Sequence, residues 1–109
     1  MNSVTLTGYL GKAPFLEEGE DGSHFALLSL AVSTRYKKEG ERAERTDWFL
    51  VVAFDAVAKS LAILGKGDFV GIVGRLRSKT WEQSGATRTT VEVVAQSVEF
   101  LRLKDREAA

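Results

Sequence analysis

The sequence predicts an all-β fold: a five-stranded barrel with one helix between strands 3 and 4. Three observations carry that expectation. Apolar and polar residues alternate at period two over residues 4–10, as a half-buried strand does, and residues 25–32 read as a second strand. One segment, residues 55–64, replaces that alternation with an apolar stripe at helical spacing. And 109 residues with 44% apolar content fill one small core, with no length left for a second.

Val4-Thr5-Leu6-Thr7-Gly8-Tyr9-Leu10 forms the first strand, which Gly11-Lys12-Ala13-Pro14 ends. Residues 17–22 form an acidic, glycine-punctuated loop. Its Glu17, Glu18, Glu20 and Asp21 lack the spacing of a calcium loop and read as solvated. The second strand spans residues 25–32, with Phe25, Leu27, Ser29 and Ala31 on one face and Leu28, Leu30 and Val32 on the other. Residues 35–45 are densely charged and read as a long hairpin loop around Gly40. The third strand, residues 48–54, is apolar on both faces. That suits a central strand with one side in the core and the other against a partner or ligand. Asp55 is expected to cap the helix through its carboxylate. Ala56, Val57, Ala58, Leu61, Ala62, Ile63 and Leu64 give the helix its stripe, and Gly65 and Gly67 stop it. Residues 69–81 form the fourth strand, where Gly71 and Gly74 mark a bend. Glu82-Gln83-Ser84-Gly85 is a turn, residues 87–101 are the fifth strand, and a polar tail from Arg102 to Ala109 is expected to fray. Residues 1–103 are thus one domain and 104–109 a short polar tail. Three strands, a helix and two strands is the order of the oligonucleotide-binding (OB) fold.

Composition narrows the function. Cysteine is absent and His24 is the single histidine, so thiolate and His-rich metal sites are excluded. No nucleophile elbow, Walker loop or dinucleotide fingerprint occurs, and neither an enzyme activity nor a cofactor is expected. No apolar run reaches bilayer length and the first residues lack a signal-peptide pattern, so the expected location is cytoplasmic. Fifteen basic and fifteen acidic residues cancel to a formal charge of zero. Any binding of nucleic acid must then rest on a locally basic groove.

Such a groove is visible in Arg75-Leu76-Arg77-Ser78-Lys79-Thr80-Trp81. Alternation puts Arg75, Arg77, Lys79 and Trp81 on one strand face with no acid between them. A cationic row ending in an aromatic ring suits single-stranded nucleic acid, with cations on phosphates and a base on the ring. A solvated edge strand guarded by Arg and Lys accounts for the same row. Trp48 and Phe54 share strand parity, which fits either a stacking face or core packing. Tyr36 sits between Arg35 and Lys37, a setting for stacking beside phosphate contacts. Past it, Glu39, Glu41 and Glu44 offset Arg42 and Arg45, as in a solvated loop.

The chain resembles the bacterial single-stranded DNA-binding protein family over nearly its whole length. The matching segments are Met1-Asn2-Ser3-Val4, Gly8-Tyr9-Leu10-Gly11-Lys12, Ser29-Leu30-Ala31-Val32-Ser33, Glu44-Arg45-Thr46-Asp47-Trp48, Val51-Val52-Ala53-Phe54, Lys66-Gly67-Asp68, the stretch from Gly74 to Trp81, and Thr90-Val91-Glu92-Val93-Val94-Ala95. The resemblance implies an OB fold that assembles into oligomers, commonly homotetramers, and wraps single-stranded DNA with little sequence preference during replication, recombination or repair. It places base-stacking aromatics at Tyr36, Trp48, Phe54 and Trp81, with Arg77 and Lys79 along the DNA path. Arg35, Lys37 and Arg75 complete the expected contacts. Phe49-Leu50 stands where the family often has His-Arg, at a place sensitive for subunit contacts. Leu6, Leu10 and Phe49 are the expected interface, with the edge of the first strand pairing between subunits. The family's long tail with an acidic, apolar tip has no counterpart up to Ala109: either the sequence stops short of it or recruitment of replication or repair proteins does not use that route. Two alternatives remain: a dimeric relative resembling the primosomal replication protein, acting in replication restart, and an OB-like protein-interaction scaffold. A scaffold would not need Arg, Arg, Lys and Trp aligned on residues 75–81.

Overall fold

In the computed structural model, which describes residues 1–104, strands dominate. They are β1 (Val4–Leu10), β2 (Phe15–Glu18), β3 (His24–Lys38), β4 (Glu41–Phe54), β5 (Phe69–Gln83) and β6 (Ala86–Arg102). Helix α1 (Asp55–Ser60) runs into a single 3-10 turn (Leu61–Ile63) between β4 and β5. The strands lie in the order β1-β5-β6-β4-β3-β2, and a β1–β3 pairing closes five of them into a barrel. This is the OB architecture expected from the sequence, with the short β2 added. Residues 15–18, read partly as an acidic loop, pair with Leu27 to His24 and continue the edge of β3 that β1 lines at Tyr9 and Leu10. Within the adjoining loop Asp21 accepts the Ser23 backbone N–H at 3.0 Å. Hydrogen bonds from the Ser23 side chain and backbone hold its carboxyl below the usual carboxylate range.

Alternation builds the core. Leu10, Ala26, Leu28, Leu30, Val51, Ala53, Val70, Ile72, Val93 and Ala95 point inward, and Ala58, Leu61 and Leu64 of the helical segment plug one end. The helix is shorter than its sequence stripe, and Ile63 stays outside at 57% exposure. Asp55 does not cap it. Asp55 is itself the first helical residue, with φ of 51°, and no side chain caps that end.

The segment 35–45 is strand rather than loop. β3 and β4 stay paired up to Lys38 and Glu41, and Glu39 (φ 52°) and Gly40 (φ 79°) make the turn between them. Two consecutive positive-φ residues form a type I′ turn, whose twist matches a β-ribbon and lets pairing continue to its tip. Ser84 (φ 51°) and Gly85 (φ 79°) do the same for β5 and β6. Both ribbons reach beyond the barrel. They account for a radius of gyration of 16.1 Å, against roughly 13 Å for a compact domain of this length.

The bend expected in the fourth sequence strand falls at Gly74. Register shifts by one residue between Val73 and Gly74, and a β-carbon on Gly74 would stand 2.1 Å from the Val94 carbonyl oxygen. Gly71 is under no such constraint, since an added β-carbon there meets nothing nearer than 3.7 Å. Arg102 belongs to β6 instead of a frayed tail, and residues 105–109 of the expected tail lie outside the described residues.

Candidate nucleic-acid interface

The cationic row and the aromatic pair lie on different strands, and register decides whether they meet. Across β3 and β4, Phe25 faces Phe54, Leu27 faces Val52, Ser29 faces Leu50 and Ala31 faces Trp48. Val52 lies beside Val94 of β6, and β6 in turn sets Val94 against Arg75, Glu92 against Arg77, Thr90 against Lys79 and Arg88 against Trp81. Side chains directly opposite in a sheet share a face. Trp48, Phe54, Arg75, Arg77, Lys79 and Trp81 therefore lie on one outward face across β4, β6 and β5. The contact of Arg77 with Phe54, guanidinium carbon 5.4 Å from the ring centroid, joins the two groups directly.

The rings are available. Trp48 is 59% exposed, Phe54 38% and Trp81 38%. Trp48 lies against Gly11, where an added β-carbon would come 2.5 Å from the indole ring. Phe54 is buttressed by Phe25, centroids 5.6 Å apart and tilted by 46°. The rigid β-sheet thus holds aromatic surface open to solvent.

One feature of the row differs from its linear reading. No acid interrupts β5, but Glu92 of β6 stands across from Arg77. Arg77 Nε donates to Glu92 Oε1 at 2.9 Å, and its Nη2 donates to the same oxygen. Glu92 is only 5% exposed. The pair therefore fixes the guanidinium beside Phe54 and neutralises one cation of the face. The signal was present in the turn: Ser84-Gly85 as a two-residue hairpin sets the β5–β6 partners from Gln83 back to Gly74, Arg77 with Glu92 included. The same register adds Arg88 beside Trp81, and Phe25 beside Phe54.

Arg35, Tyr36 and Lys37 sit on the β3–β4 ribbon. Tyr36 pairs with Ala43, one step out of phase with Ala31 and Trp48, so alternation sends it to the other side of the ribbon from Arg35 and Lys37. Arg35 stands across from Glu44 and Lys37 from Arg42. These residues border one open depression at the ribbon, with Tyr36 46% exposed. Alternation keeps Arg35 and Lys37 on the face of Ala31 and Trp48 and turns Tyr36 alone to the opposite one.

Of the expected interface residues, Leu10 is 2% exposed and belongs to the core, and Leu6 packs partly against it. Parity turns Val4, Leu6 and Leu10 inward, so the side chains β1 offers outside are Thr5, Thr7 and Tyr9. Leu10 is therefore not a surface residue that a subunit could touch. Phe49 has the inward parity of Val51 and Ala53 but lies near the barrel mouth, 37% exposed.

The profile of the Single-strand binding protein family matches residues 1–101. The chain belongs to that family. A family relative, Single-stranded DNA-binding protein 3 of Clostridium acetobutylicum, is 36% identical over 104 residues, covering 93% of this chain and 71% of the relative. Among solved structures, a deletion mutant of the single-stranded DNA-binding protein from Thermus aquaticus superposes with a TM-score of 0.82 at 27% identity. It covers 97% of this chain, which spans about half (52%) of the Thermus protein. A small single-stranded DNA-binding protein from Streptomyces coelicolor gives a TM-score of 0.74 at 25% identity, covering 92% of this chain and 95% of that one.

Proposed function

We propose that this chain binds single-stranded DNA without marked sequence preference, and so protects it during replication, recombination or repair. One observation carries the reading: register and parity gather two tryptophans, a phenylalanine and three cations on one solvent-facing surface. Burial alone would not leave both tryptophans more than a third exposed on a strand face. Bases stack on Trp48, Phe54 and Trp81, and every base has a π-face, so stacking is sequence-tolerant. Arg75 and Lys79 meet phosphates. Arg77 joins them when it leaves Glu92. Tyr36, with Arg35 and Lys37, takes a neighbouring stretch of the strand along the ribbon. The chemistry is binding, with no bond made or broken.

The chain works as an oligomer in this reading, a homotetramer with the dimer as the smaller form. Phe49 lies at sheet level with Val91, since Val51 pairs with Val93 in parallel. Leu76 faces Val93 from β5, and Val91 and Leu76 are 62% and 44% exposed. Together they offer an apolar patch turned away from the DNA face. Among the described residues no helix is long and apolar enough to cross a membrane, and the proposed place of action is the cytoplasm, at the nucleoid.

Tryptophan emission during titration with poly-dT tests the reading, at low and then moderate salt. Quenching that weakens as salt rises is expected. No quenching and no binding at low salt would remove it.

A further inference from the structure

A second aromatic and cationic group lies where three strands end. Tyr9 of β1 and Phe69 of β5 are direct partners in register, their ring centroids 4.6 Å apart and tilted by 41°. Arg102, opposite Phe69 on β6, stands over both rings at 5.9 Å from Tyr9 and 5.7 Å from Phe69. One of its Nη2 hydrogens goes to the Tyr9 hydroxyl oxygen at 2.8 Å. Tyr9 remains 41% exposed, so packing does not use up its ring.

Further cations flank the group. Lys12 follows Gly11 at the end of β1. Lys104 lies over Gly67, whose N–H donates to the Leu10 carbonyl at 2.9 Å. Asp68 holds the Lys104 backbone N–H at 2.7 Å, which fixes the path of the chain there. Both ion pairs found among the described residues, Arg45–Asp47 and Arg77–Glu92, lie elsewhere. Among the described residues, no carboxylate stands at ion-pair distance from Lys12, Arg102 or Lys104.

The group also adjoins the face already described. Tyr9 pairs with Ala31, and Ala31 pairs with Trp48, so the two rings lie in one row across β1, β3 and β4. Two strand spacings separate them, roughly 10 Å. Between them lies Ala31, and Gly11, two residues along the chain from Tyr9, seats the Trp48 indole.

We propose that Tyr9, Phe69 and Arg102 form a further single-stranded DNA subsite, with a base stacked on Tyr9 and an adjoining phosphate held by Arg102, Lys12 and Lys104. The subsite extends the reading above and rests on it. Phe69 backs the Tyr9 ring. Arg102 fixes that ring through the hydroxyl and keeps its remaining N–H donors for phosphate, since a guanidinium carries five.

The test titrates the full chain with oligo-dT over a series of salt concentrations. Tyr9→Leu keeps apolar contact with Phe69 and removes the planar ring. It is expected to weaken binding about fivefold or more. Arg102→Gln is expected to lower the slope of log affinity against log salt by about 0.7, one phosphate contact on a single strand. A third variant, Tyr9→Trp with Trp48→Phe and Trp81→Phe, keeps a ring at position 9 and makes it the only tryptophan. Poly-dT is expected to quench its emission, a readout that guards against loss of fold in Tyr9→Leu. Parent-like affinity in Tyr9→Leu and Arg102→Gln with an unquenched Tyr9→Trp overturns the subsite. If Trp48→Ala still weakens binding in that case, the main face stands without it. If the parent chain itself binds no oligo-dT, the underlying function falls and the subsite with it.

Discussion

Arg77→Met should destabilise the fold although Arg77 sits on the surface. Its partner Glu92 is 5% exposed, while the Arg77 side chain is 37% exposed. Exposed ion pairs contribute about 0–1 kcal/mol, and removing one partner of a fully buried pair costs about 3–5 kcal/mol. One buried and one half-exposed partner place this pair between those limits, at about 2 kcal/mol. The cost arises because methionine leaves the Glu92 carboxylate enclosed with neither of its two Arg77 hydrogen bonds. Glu92→Gln should cost less, since its amide oxygen still accepts from the guanidinium. The double variant Arg77→Met with Glu92→Gln should recover much of the loss, because no unpaired charge remains. Urea unfolding of the four proteins measures this directly, with coupling read from the double-mutant cycle. Binding supplies a second readout. Glu92→Gln releases Arg77 toward phosphate and should steepen the salt slope by up to about 0.7. An Arg77→Met protein within about 0.5 kcal/mol of the parent, the range of ordinary surface changes, would refute the clamp.

Trp48→Ala and Trp81→Ala should each weaken poly-dT binding about tenfold, a stacked base being worth about 1–3 kcal/mol, while circular dichroism reports an intact fold. Undiminished binding by the double variant would remove stacking from the mechanism. Gly11→Val should also weaken binding, because its side chain enters the space where an added β-carbon stands 2.5 Å from the Trp48 ring. Its tryptophan emission should shift before DNA is added, and a spectrum and affinity equal to the parent's would show that the indole does not rest there. Phe49→Arg puts a charge at the centre of the exposed patch with Val91 and Leu76 and should reduce the assembled mass measured by light scattering. An unchanged mass would exclude that patch as the subunit contact.

Much of the molecule was determined by sequence alone. Period-two alternation in residues 4–10 specified which side chains enter the core, since a strand has only two faces. The apolar stripe of residues 55–64 specified the single helix, and parity aligned Arg75, Arg77, Lys79 and Trp81. Local chemistry misled in two places. The charges of residues 35–45 suggested a loop, yet Glu39-Gly40 as a two-residue turn lets both strands run to the ribbon tip. Asp55 has the composition of a cap but takes a positive φ within the helix.

Only the tertiary structure decided what crosses between strands. A cross-strand neighbour depends on turn length, bulges and barrel closure, none of which alternation along one strand contains. Register brought Glu92 to Arg77 and put Trp48 and Trp81 on one face. Barrel closure carried Tyr9 into line with Trp48. Sequence settles which way a side chain points along its own strand, and the paired sheet settles what it meets.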